Sequence, residues 1–354
     1  MKRSDNSKFF IQEHLLREGL FHGGIGNKQI EEILLRNGYQ PISFPFTYDF
    51  SWKAKLSRAV FLSKLLFVLP AKASIVFQWP LHARIHVWLV KLLKLLRPSI
   101  QLICFLTDIN GLKDNDLHTL QNERKLFGQL KWFIVHNNAM ETWLLQQQPF
   151  AKVALLGFFD YTAAPNSSDR SKSKGVAFAG YLGKSLFIKD LDKLPGITFL
   201  LYGSTETFLL HRSHNVHYKG VQSPEDLPGV IEGAFGLLWD GDSIDGLEGV
   251  FGNYNRFISP HKLSLYILAG LPVIAHSDAG AASLVRNFNI GFTVNALTEL
   301  EATIEAISDE EYQEMRRNCL QLAAVISKGR CLLNALAKLE FMRSSGQPAQ
   351  NGAG

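Results

Sequence analysis

Short apolar runs rich in β-branched and aromatic residues alternate along the chain with longer amphipathic stretches. Such runs predict buried strands, whereas apolar residues recurring with a period near 3.6 predict helices. In the first half this predicts strands at 9–12, 40–44, 74–78, 100–106, 132–136 and 152–156, and helices at 28–37, 53–69, 84–96, 117–130 and 139–147. Regular strand–helix alternation is typical of an α/β fold, in which a parallel sheet carries helices on both faces.

Residues 163–174 interrupt this alternation with Pro, Ser and charged side chains, and we interpret them as a linker. The alternation then resumes, with strands predicted at 175–179, 197–202, 216–218, 235–239, 272–275 and 291–294, and helices at 184–191, 261–269, 279–286, 297–307, 309–326 and 330–343. From Ser344 onward the sequence is low in complexity, and we expect disorder there. The chain therefore reads as two α/β units with a ligand cleft at the carboxyl ends of their strands.

Composition narrows the class of protein. Of the 354 residues, 46% are hydrophobic, which excludes a disordered, collagen-like or coiled-coil chain. No apolar stretch reaches the roughly 20 residues that span a bilayer, and the polar start predicts no secretory signal. The three cysteines, Cys104, Cys319 and Cys331, are widely spaced, so we expect reduced thiols in a cytoplasmic protein and no disulfide framework or zinc ribbon.

Charge is unevenly distributed, because no acidic residue lies between Asp49 and Asp108. That interval holds nine cationic side chains: Lys53, Lys55, Arg58, Lys64, Lys72, Arg84, Lys91, Lys94 and Arg97. Basic amphipathic helices across 52–97 indicate contact with a membrane surface or an anionic ligand. The alternative is a pair of ordinary domain helices whose lysine stems lie along the edge of the core. Nucleic-acid binding is not predicted, since the region has no recognisable nucleic-acid motif.

Two glycine-rich turns join a predicted strand to a predicted helix. The first, 23–28, includes Gly24 and Asn27; it lacks the third glycine of a dinucleotide fingerprint and is either a ligand-facing loop or a plain turn. The second, 179–184, ends in Lys184 and is not a Walker A loop. A lysine at a helix start is disfavoured unless an anion lies there, so Lys184 is either a phosphate contact or a solvated surface lysine.

The densest pattern is at 239–274. Ser259 and Pro260 suit the N-cap and first position of a helix, and Lys262 falls in its first turn. Free N–H groups beside a cation predict a diphosphate site. The acidic loop 240–246 lacks the ligand order of an EF-hand, so we favour loop capping and sugar-hydroxyl contacts over Ca²⁺.

Histidine spacing indicates no metal site. His82 and His86 lack the glutamate of a zincin motif. His211, His214 and His217 recur every third residue, and we interpret them as surface side chains rather than metal ligands.

The segment 239–274, WDGDSIDGLEGVFGNYNRFISPHKLSLYILAGLPVI, resembles one family of proteins. That family is the bacterial GT-B glycosyltransferases that include β-1,6-galactofuranosyltransferases and the glucosyltransferases of serine-rich-repeat adhesins. Further similarity lies at 26–28, 105–109, 134–137 and 178–184, and the match runs to about Phe341. The resemblance implies two Rossmann-like domains: 1–163 for the acceptor and 174–329 for the nucleotide sugar, with helix 330–343 crossing back and a disordered tail at 344–354.

The same resemblance implies roles for individual residues. Lys184 and Lys262 would contact the donor diphosphate, with Asn255 and Ser259 beside it. Tyr218 and Gly220 would neighbour the nucleobase, while Gly24 and Asn27 would face the donor from the first domain. Thr107 stands where relatives are expected to carry His, which weakens a catalytic role for this loop; Asp108 is the predicted acceptor base.

The implied reaction is transfer of a hexose, galactofuranose or glucose, from a UDP-sugar to a glycan or lipid-linked acceptor without a metal or cofactor. A catalytically silent nucleotide-sugar-binding subunit and a GT-B-type epimerase are the alternatives. The sequence leaves the stereochemistry open, and also whether the chain forms a homo-oligomer. We expect a cytoplasmic protein, peripheral at the inner face of the membrane if 52–97 contacts lipid.

Overall fold

The computed structural model describes residues 8–14, 24–45, 49–204 and 213–345. Its first unit is a parallel six-stranded sheet with strand order β2-β1-β3-β4-β5-β6. The strands are β1 (Lys8–Ile11), β2 (Gln40–Ile42), β3 (Ser74–Trp79), β4 (Gln101–Leu106), β5 (Trp132–Val135) and β6 (Lys152–Leu155). The central strands β3 and β4 are almost wholly buried, as expected where helices cover both faces of a parallel sheet.

A second parallel six-stranded sheet follows, with strand order β12-β11-β10-β7-β8-β9. Its strands are β7 (Gly175–Ala179), β8 (Thr198–Tyr202), β9 (Val216–Gly220), β10 (Phe235–Leu238), β11 (Val273–His276) and β12 (Gly291–Val294). The intervening residues 163–174 contain neither helix nor strand. They are nevertheless pinned to the second unit, because the Arg170 guanidinium donates to the backbone carbonyls of Ile231 and Gly233.

Helices of the first unit lie on both faces of its sheet. They are α1 (Ile25–Arg36), α2 (Trp52–Val68), α3 (Arg84–Leu96), α4 (Asn110–Lys113), α5 (Leu117–Phe127) and α6 (Asn138–Gln147). Leu62 of α2, Leu89 of α3 and Leu144 of α6 share one core, which shows that these helices cover the same face. The opposite face is covered by α1 and by the last helix of the chain, α13 (Arg330–Ser345).

The remaining helices belong to the second unit. They are α7 (Leu227–Val230), α8 (Gly249–Asn255), α9 (His261–Leu268), α10 (Ala282–Asn287), α11 (Leu300–Ala306) and α12 (Asp309–Ile326). Helix α12 begins at a capping box, in which the Ser308 hydroxyl accepts from the Glu311 amide and the Glu311 carboxylate accepts from the Ser308 amide. Two buried clusters, one on each face of the sheet, form the core of this unit.

The chain returns to the first unit through α13. Asp160, at the end of the first unit, accepts hydrogen bonds from the backbone amides of Cys331 and Leu332 in the first turn of α13. Leu332, Leu336 and Leu339 then pack against the core that includes Phe10. A carboxylate at this helix start accepts from two otherwise unpaired amides, and its negative charge interacts favourably with the helix dipole.

Several local predictions differ from the structure, and three of them concern the candidate site or the end of the chain. Pro260, not Ser259, is the N-cap of α9, and the helix begins at His261. The predicted helix at 184–191 is two 3₁₀ turns, Leu182–Lys184 and Leu186–Lys193, so Lys184 ends a turn instead of starting a helix. Helix α13 extends to Ser345, past the predicted start of the tail; residues 346–354 lie outside the described residues.

Among the described helices, none combines the length and the apolar character that crossing a bilayer requires.

Candidate functional site

Two helix N-termini, one from each unit, meet across the cleft. Gly24 is the N-cap of α1 with a φ of 85°, Pro260 is the N-cap of α9, and neither helix has a side-chain cap. His261 joins them, because its Nε2 lies 3.2 Å from Oε1 of Gln29. A Cβ added to Gly26 would lie 2.9 Å from Cδ2 of His261, so glycine is what permits this approach. Backbone N–H groups from two helices therefore converge on one region, where negative charge is favoured.

Lys262 occupies the first turn of α9 and is fixed by several contacts. Its Nζ lies 2.9 Å from Oδ2 of Asp240 and 3.2 Å from the Trp239 carbonyl, and 4.5 Å above the centre of the Phe178 ring. Burial lowers the pKa of Lys262, Asp240 raises it, and Lys184 lowers it again. Lys184, in the turn after β7, thus acts on Lys262, in the first turn of α9, as a like charge.

Lys184 is half-buried, and its Nζ lies 5.3 Å from the centre of the Phe251 ring. Within the described ranges, no carboxylate forms a salt bridge with Lys184. Lys262 forms a salt bridge with Oδ2 of Asp240. The other carboxylate oxygen of Asp240, Oδ1, lies 3.4 Å from Oγ of the buried Ser185. The two lysines thus have one carboxylate partner between them, which leaves positive charge for an anion.

Asn255, at the end of α8, has a buried side-chain amide. Neither its Oδ1 nor its Nδ2 has a hydrogen-bond partner, although its backbone carbonyl accepts from the amide of Gly280. Leaving a buried polar group unpaired costs about 1–3 kcal/mol, so such a group in a native structure calls for an explanation. An amide with both a free donor and a free acceptor can bind a polar ligand that reaches it.

Ser259 is fully buried and belongs to the junction between the units. Its Oγ accepts from Nδ2 of Asn137 over 3.0 Å, and its backbone amide donates to Nδ1 of His136 over 3.3 Å. Burial lowers the pKa of His136 to about 4, and a neutral ring that accepts at Nδ1 carries its proton on Nε2. Ser259 therefore positions the 256–260 loop and does not cap the helix as the sequence predicts.

Glycines line the carboxyl ends of β7, β8 and β9. The Gly203 amide donates to the Gly220 carbonyl over 2.9 Å, and the Tyr218 hydroxyl donates to the Gly203 carbonyl over 3.0 Å. A Cβ on Gly203 would collide with the carbonyl of Gly180, and one on Gly180 would lie 3.7 Å from the Lys262 stem. We call Gly180, Gly203 and Gly220 the glycine ridge. The predicted pair of Tyr218 and Gly220 lies at one end of the glycine ridge, and Lys262 lies at the other end.

Asp108, the predicted catalytic residue, has both carboxylate oxygens engaged. Its Oδ1 accepts from the Tyr254 hydroxyl over 3.0 Å, and its Oδ2 lies 2.8 Å from Nζ of Lys113. The same Tyr254 hydroxyl accepts from the Ile109 amide. The structure thus joins Asp108 to helix α8 of the second unit, and its catalytic role stays a prediction.

A polar cluster at the ends of β1 and β3 was not predicted from the sequence. The potential ligand atoms of Glu13, His14 and His82 lie within 4.8 Å of one another, the one such group in the described part of the chain. Glu13 accepts from the backbone amides of His82 and Ala83 and from Nδ1 of His86, which lies 2.5 Å away. Asn27 lies beside this cluster, with its Nδ2 3.5 Å from Nε2 of His14.

The hydrogen bonds from His86 and from two backbone amides lower the pKa of Glu13 against the opposing effect of burial. The Glu13 carboxylate therefore already has hydrogen-bond partners, two of which are backbone amides of the loop between β3 and α3. Of the predicted histidine triplet, His214 and His217 are exposed and His211 lies outside the described residues. A signal in the sequence for the cluster was the adjacent pair Glu13-His14 directly after a strand.

Comparison with known proteins gives a consistent answer in both units. Residues 20–158 match the N-terminal domain, and residues 176–339 the C-terminal domain, of the family described as glucosyltransferase 3-like. The chain belongs to the glucosyltransferase 3-like family. This confirms the family that the 239–274 segment indicated.

Two curated relatives of this glucosyltransferase 3-like chain are glycosyltransferases. The β-1,6-galactofuranosyltransferase WbbI of Escherichia coli K12 is 32% identical over 206 residues, which cover 55% of this chain and 59% of that protein. Glucosyltransferase 3 of Streptococcus gordonii is 34% identical over 116 residues, covering 32% of this chain and 34% of that protein. The alignments thus span between a third and three fifths of the relatives' own lengths.

Solved structures show the fold of the glucosyltransferase 3-like chain. Anabaena HepE in complex with UDP aligns with a TM-score of 0.62 at 16% identity, over 96% of this chain and 100% of that one. A glycosyltransferase from Rickettsia africae aligns with a TM-score of 0.56 at 12% identity, over 98% and 100% of the two chains. The two facing parallel sheets are therefore the GT-B fold, as predicted.

Proposed function

We propose that this protein transfers a hexose from a UDP-sugar to a glycan or glycoconjugate acceptor. The family supports this, because the curated relatives are named as a galactofuranosyltransferase and a glucosyltransferase. HepE, which shares the fold, was crystallised with UDP, with UDP and glucose, and with UDP-glucose. We propose galactofuranose or glucose as the sugar on the strength of those names.

One observation carries the proposal: two uncapped helix N-termini from different units converge beside Lys262 and Lys184. Helix N-termini bind phosphates because their free N–H groups and dipole favour negative charge. Lysine ammonium groups add charge-assisted hydrogen bonds to phosphate oxygens. The two negative charges of a diphosphate match this arrangement, and the unpaired amide of Asn255 would supply one more donor.

The same groups would assist departure of the leaving group. Cleavage of the bond between sugar and diphosphate places negative charge on the nucleoside diphosphate. Donors that are already oriented stabilise that charge without reorganisation, and their effect is larger where water is excluded. We propose that Lys184 and Lys262 perform this task and that no metal or other cofactor is needed, since the chain itself supplies the countercharge.

We propose roles for the other predicted residues, supported by their places in the fold. We propose that Tyr218 and Gly220 lie beside the nucleobase, because they line the glycine ridge that ends at Lys262. Gly24 and Asn27 would face the donor from the start of α1, and Ser259 would act only by holding the 256–260 loop. Asp108 remains the proposed acceptor base, with Tyr254 and Lys113 fixing the direction of its carboxylate.

We further propose that residues 1–163 bind the acceptor and that the donor site belongs to 174–329. The acceptor would be a glycan or lipid-linked intermediate reached in the cytoplasm, at the inner face of the membrane. A homo-oligomer is compatible with this arrangement.

A catalytically silent, nucleotide-sugar-binding subunit is the second candidate, and the engagement of both Asp108 oxygens favours it. Release of UDP and sugar from UDP-glucose by the purified chain would exclude that candidate. Binding of UDP with no turnover of any UDP-hexose, alone or with acceptor glycans, would support it.

The test of the donor site is calorimetric titration of UDP into purified protein. We expect Lys184→Ala to weaken UDP binding by roughly 10- to 100-fold, the magnitude of a charge-assisted hydrogen bond. Lys262→Ala would leave Asp240 as a buried unpaired charge, so the double variant Lys262→Met, Asp240→Asn separates binding from folding. Lys125→Ala, on exposed α5, is the matched control and should bind UDP normally. Normal UDP affinity in both site variants would refute the site.

A further inference from the structure

Helix α2 carries apolar side chains on its outer face as well as on its inner face. Trp52, Leu56, Val60 and Phe67 recur at helical spacing and are exposed, with 70% of Trp52 and 86% of Phe67 accessible. The inner face packs against the sheet through Ala54 and Leu62. A helix of a soluble domain normally turns polar side chains outward, so this stripe needs a partner.

Helix α3 repeats the arrangement beside it. Trp88, 58% accessible, and Leu95 are exposed on the outer face together with Arg84 and Lys91. Lys91 lies 6.0 Å from the Trp88 ring centre, as Lys53 lies 5.9 Å from that of Trp52. Because α2 and α3 cover the same face of the first sheet and contact each other, their outer faces form one surface, hereafter the α2–α3 surface.

The charge of the α2–α3 surface identifies the chemistry of its partner. Lys53 and Lys64 flank the apolar stripe of α2 on one side and Lys55 on the other, all exposed. Since no acidic residue lies between Asp49 and Asp108, nothing within these helices neutralises them. Apolar and aromatic side chains bordered by lysines match the interface of a bilayer that contains anionic lipids.

We propose that the α2–α3 surface docks the protein on an anionic lipid bilayer. Trp side chains insert at the headgroup level, where an amphipathic ring is most stable, and the lysines meet lipid phosphates. Parallel strands place the starts of α2 and α3 at the carboxyl edge of the sheet, which also carries Asp108. Docking therefore brings the mouth of the cleft to the membrane. This deepens the proposed function, since it assigns the acceptor to the lipid surface.

The test is co-sedimentation of the full chain with vesicles of phosphatidylcholine alone or mixed with phosphatidylglycerol. We expect binding to the anionic vesicles only, weakened by added salt because the lysine contribution is screened. Lys53→Glu with Lys64→Glu should lower the partition coefficient by at least fivefold per lysine. Trp52→Ala with Phe67→Ala should lower it further at high salt, where the apolar contribution dominates.

Matched controls test whether vesicle binding depends on the α2–α3 surface itself and not on the number of exposed aromatic or charged residues in the protein. Phe150→Ala removes an aromatic residue that is equally exposed in the same unit, and Lys125→Glu reverses an exposed charge on α5. Both should bind vesicles like the parent protein, and circular dichroism should show all variants folded. UDP titration of the same samples distinguishes the two proposals, because a protein that binds UDP but no vesicle refutes only the docking surface.

Absence of anionic-vesicle binding at low salt would overturn the inference. The inference would also be overturned if the lysine variants bound neutral vesicles as strongly as the parent protein binds anionic vesicles. Concentration-dependent dimerisation that Trp52→Ala with Phe67→Ala abolishes, without vesicle binding, would assign the surface to a second copy of the chain instead.

Discussion

The hydroxyl of Tyr254 donates to Oδ1 of Asp108 over 3.0 Å, joining helix α8 of the second unit to the loop after β4 of the first. Tyr254 is buried, whereas the Asp108 side chain is about one-third exposed. The bond fixes one carboxylate oxygen while Lys113 holds the other. Its consequences for catalysis and for the junction can be separated by experiment.

Asp108→Asn should lower the rate of UDP release from UDP-glucose by roughly 100-fold or more if Asp108 acts as the base, the usual range for general-base catalysis. Tyr254→Phe removes the hydrogen bond that fixes Asp108, together with the acceptor of the Ile109 amide, and should lower the rate by less than about tenfold. The measurement is steady-state UDP release, with UDP affinity measured in parallel. Equal and small losses in the two variants would assign the pair to holding the units together.

Gly26→Ala should weaken UDP binding about tenfold, because the new Cβ would displace His261 and separate the two helix N-termini. Alanine at a helix position otherwise adds about 0.5–1 kcal/mol of stability, so weaker UDP binding should not come with a lower melting temperature. Gly229→Ala, with no atom within 4 Å of the new Cβ, is the control. Unchanged UDP affinity in Gly26→Ala would argue against convergence of the helices on the ligand.

The order of elements could be predicted from the sequence because each strand is a local apolar run. The strands at Gly175–Ala179 and Gly291–Val294 and the helices at Arg84–Leu96 and Asp309–Ile326 have the predicted bounds. Helix α8 is not among the helices that the sequence predicts, since its GVFGNYN sequence contains glycines and asparagines that disfavour a helix. Packing of Tyr254 against the first unit outweighs that local preference.

The candidate site depends on contacts between distant segments, which a single sequence does not encode in local spacing. Lys184 and Lys262 could be proposed from the sequence because one follows a glycine-rich turn and the other follows a Ser-Pro helix start. The bond between Tyr254 and Asp108, 146 residues apart, has no such pattern, and neither does the approach of His261 to Gly26. The sequence predicts Ser259 as the N-cap because Ser-Pro is a common helix start, whereas in the structure Pro260 is the N-cap and the Ser259 hydroxyl accepts from Asn137.

Asn255→Leu should stabilise the ligand-free protein by about 1 kcal/mol, because it removes a buried amide that has no partner. The same change should weaken UDP binding at least tenfold if that amide contacts the donor. Asn137→Leu is the control, since the Asn137 amide is fully engaged with Ser259 and Met140 and its loss should destabilise the fold. Chemical unfolding and UDP titration measure the two effects. A loss of stability in Asn255→Leu would show that the amide is satisfied in the folded protein.

Acid should destabilise the protein between about pH 6.5 and about pH 4, through His136 and His261. Burial lowers the pKa of each ring from 6.5 to about 4. The unfolded chain therefore binds two protons that the folded one excludes, and the stability present above pH 6.5 is lost as the pH falls. Each ring contributes about 3 kcal/mol across that interval. Urea unfolding at a series of pH values measures the slope.

Asp160 opposes the loss of stability that acid causes through His136 and His261. Replacing Asp160 therefore gives a sharp test of this pH dependence. Burial raises the pKa of Asp160 from 3.8 to about 6, so the folded protein holds a proton that the unfolded chain has released. Its contribution is present below pH 3.8 and is lost as the pH rises through 6. Asp160→Asn should therefore steepen the acid loss of stability, while His136→Gln should flatten it. Parallel slopes in the parent and both variants would mean that these groups titrate alike in the folded and unfolded states, which their burial at the junction and beneath α13 makes physically costly.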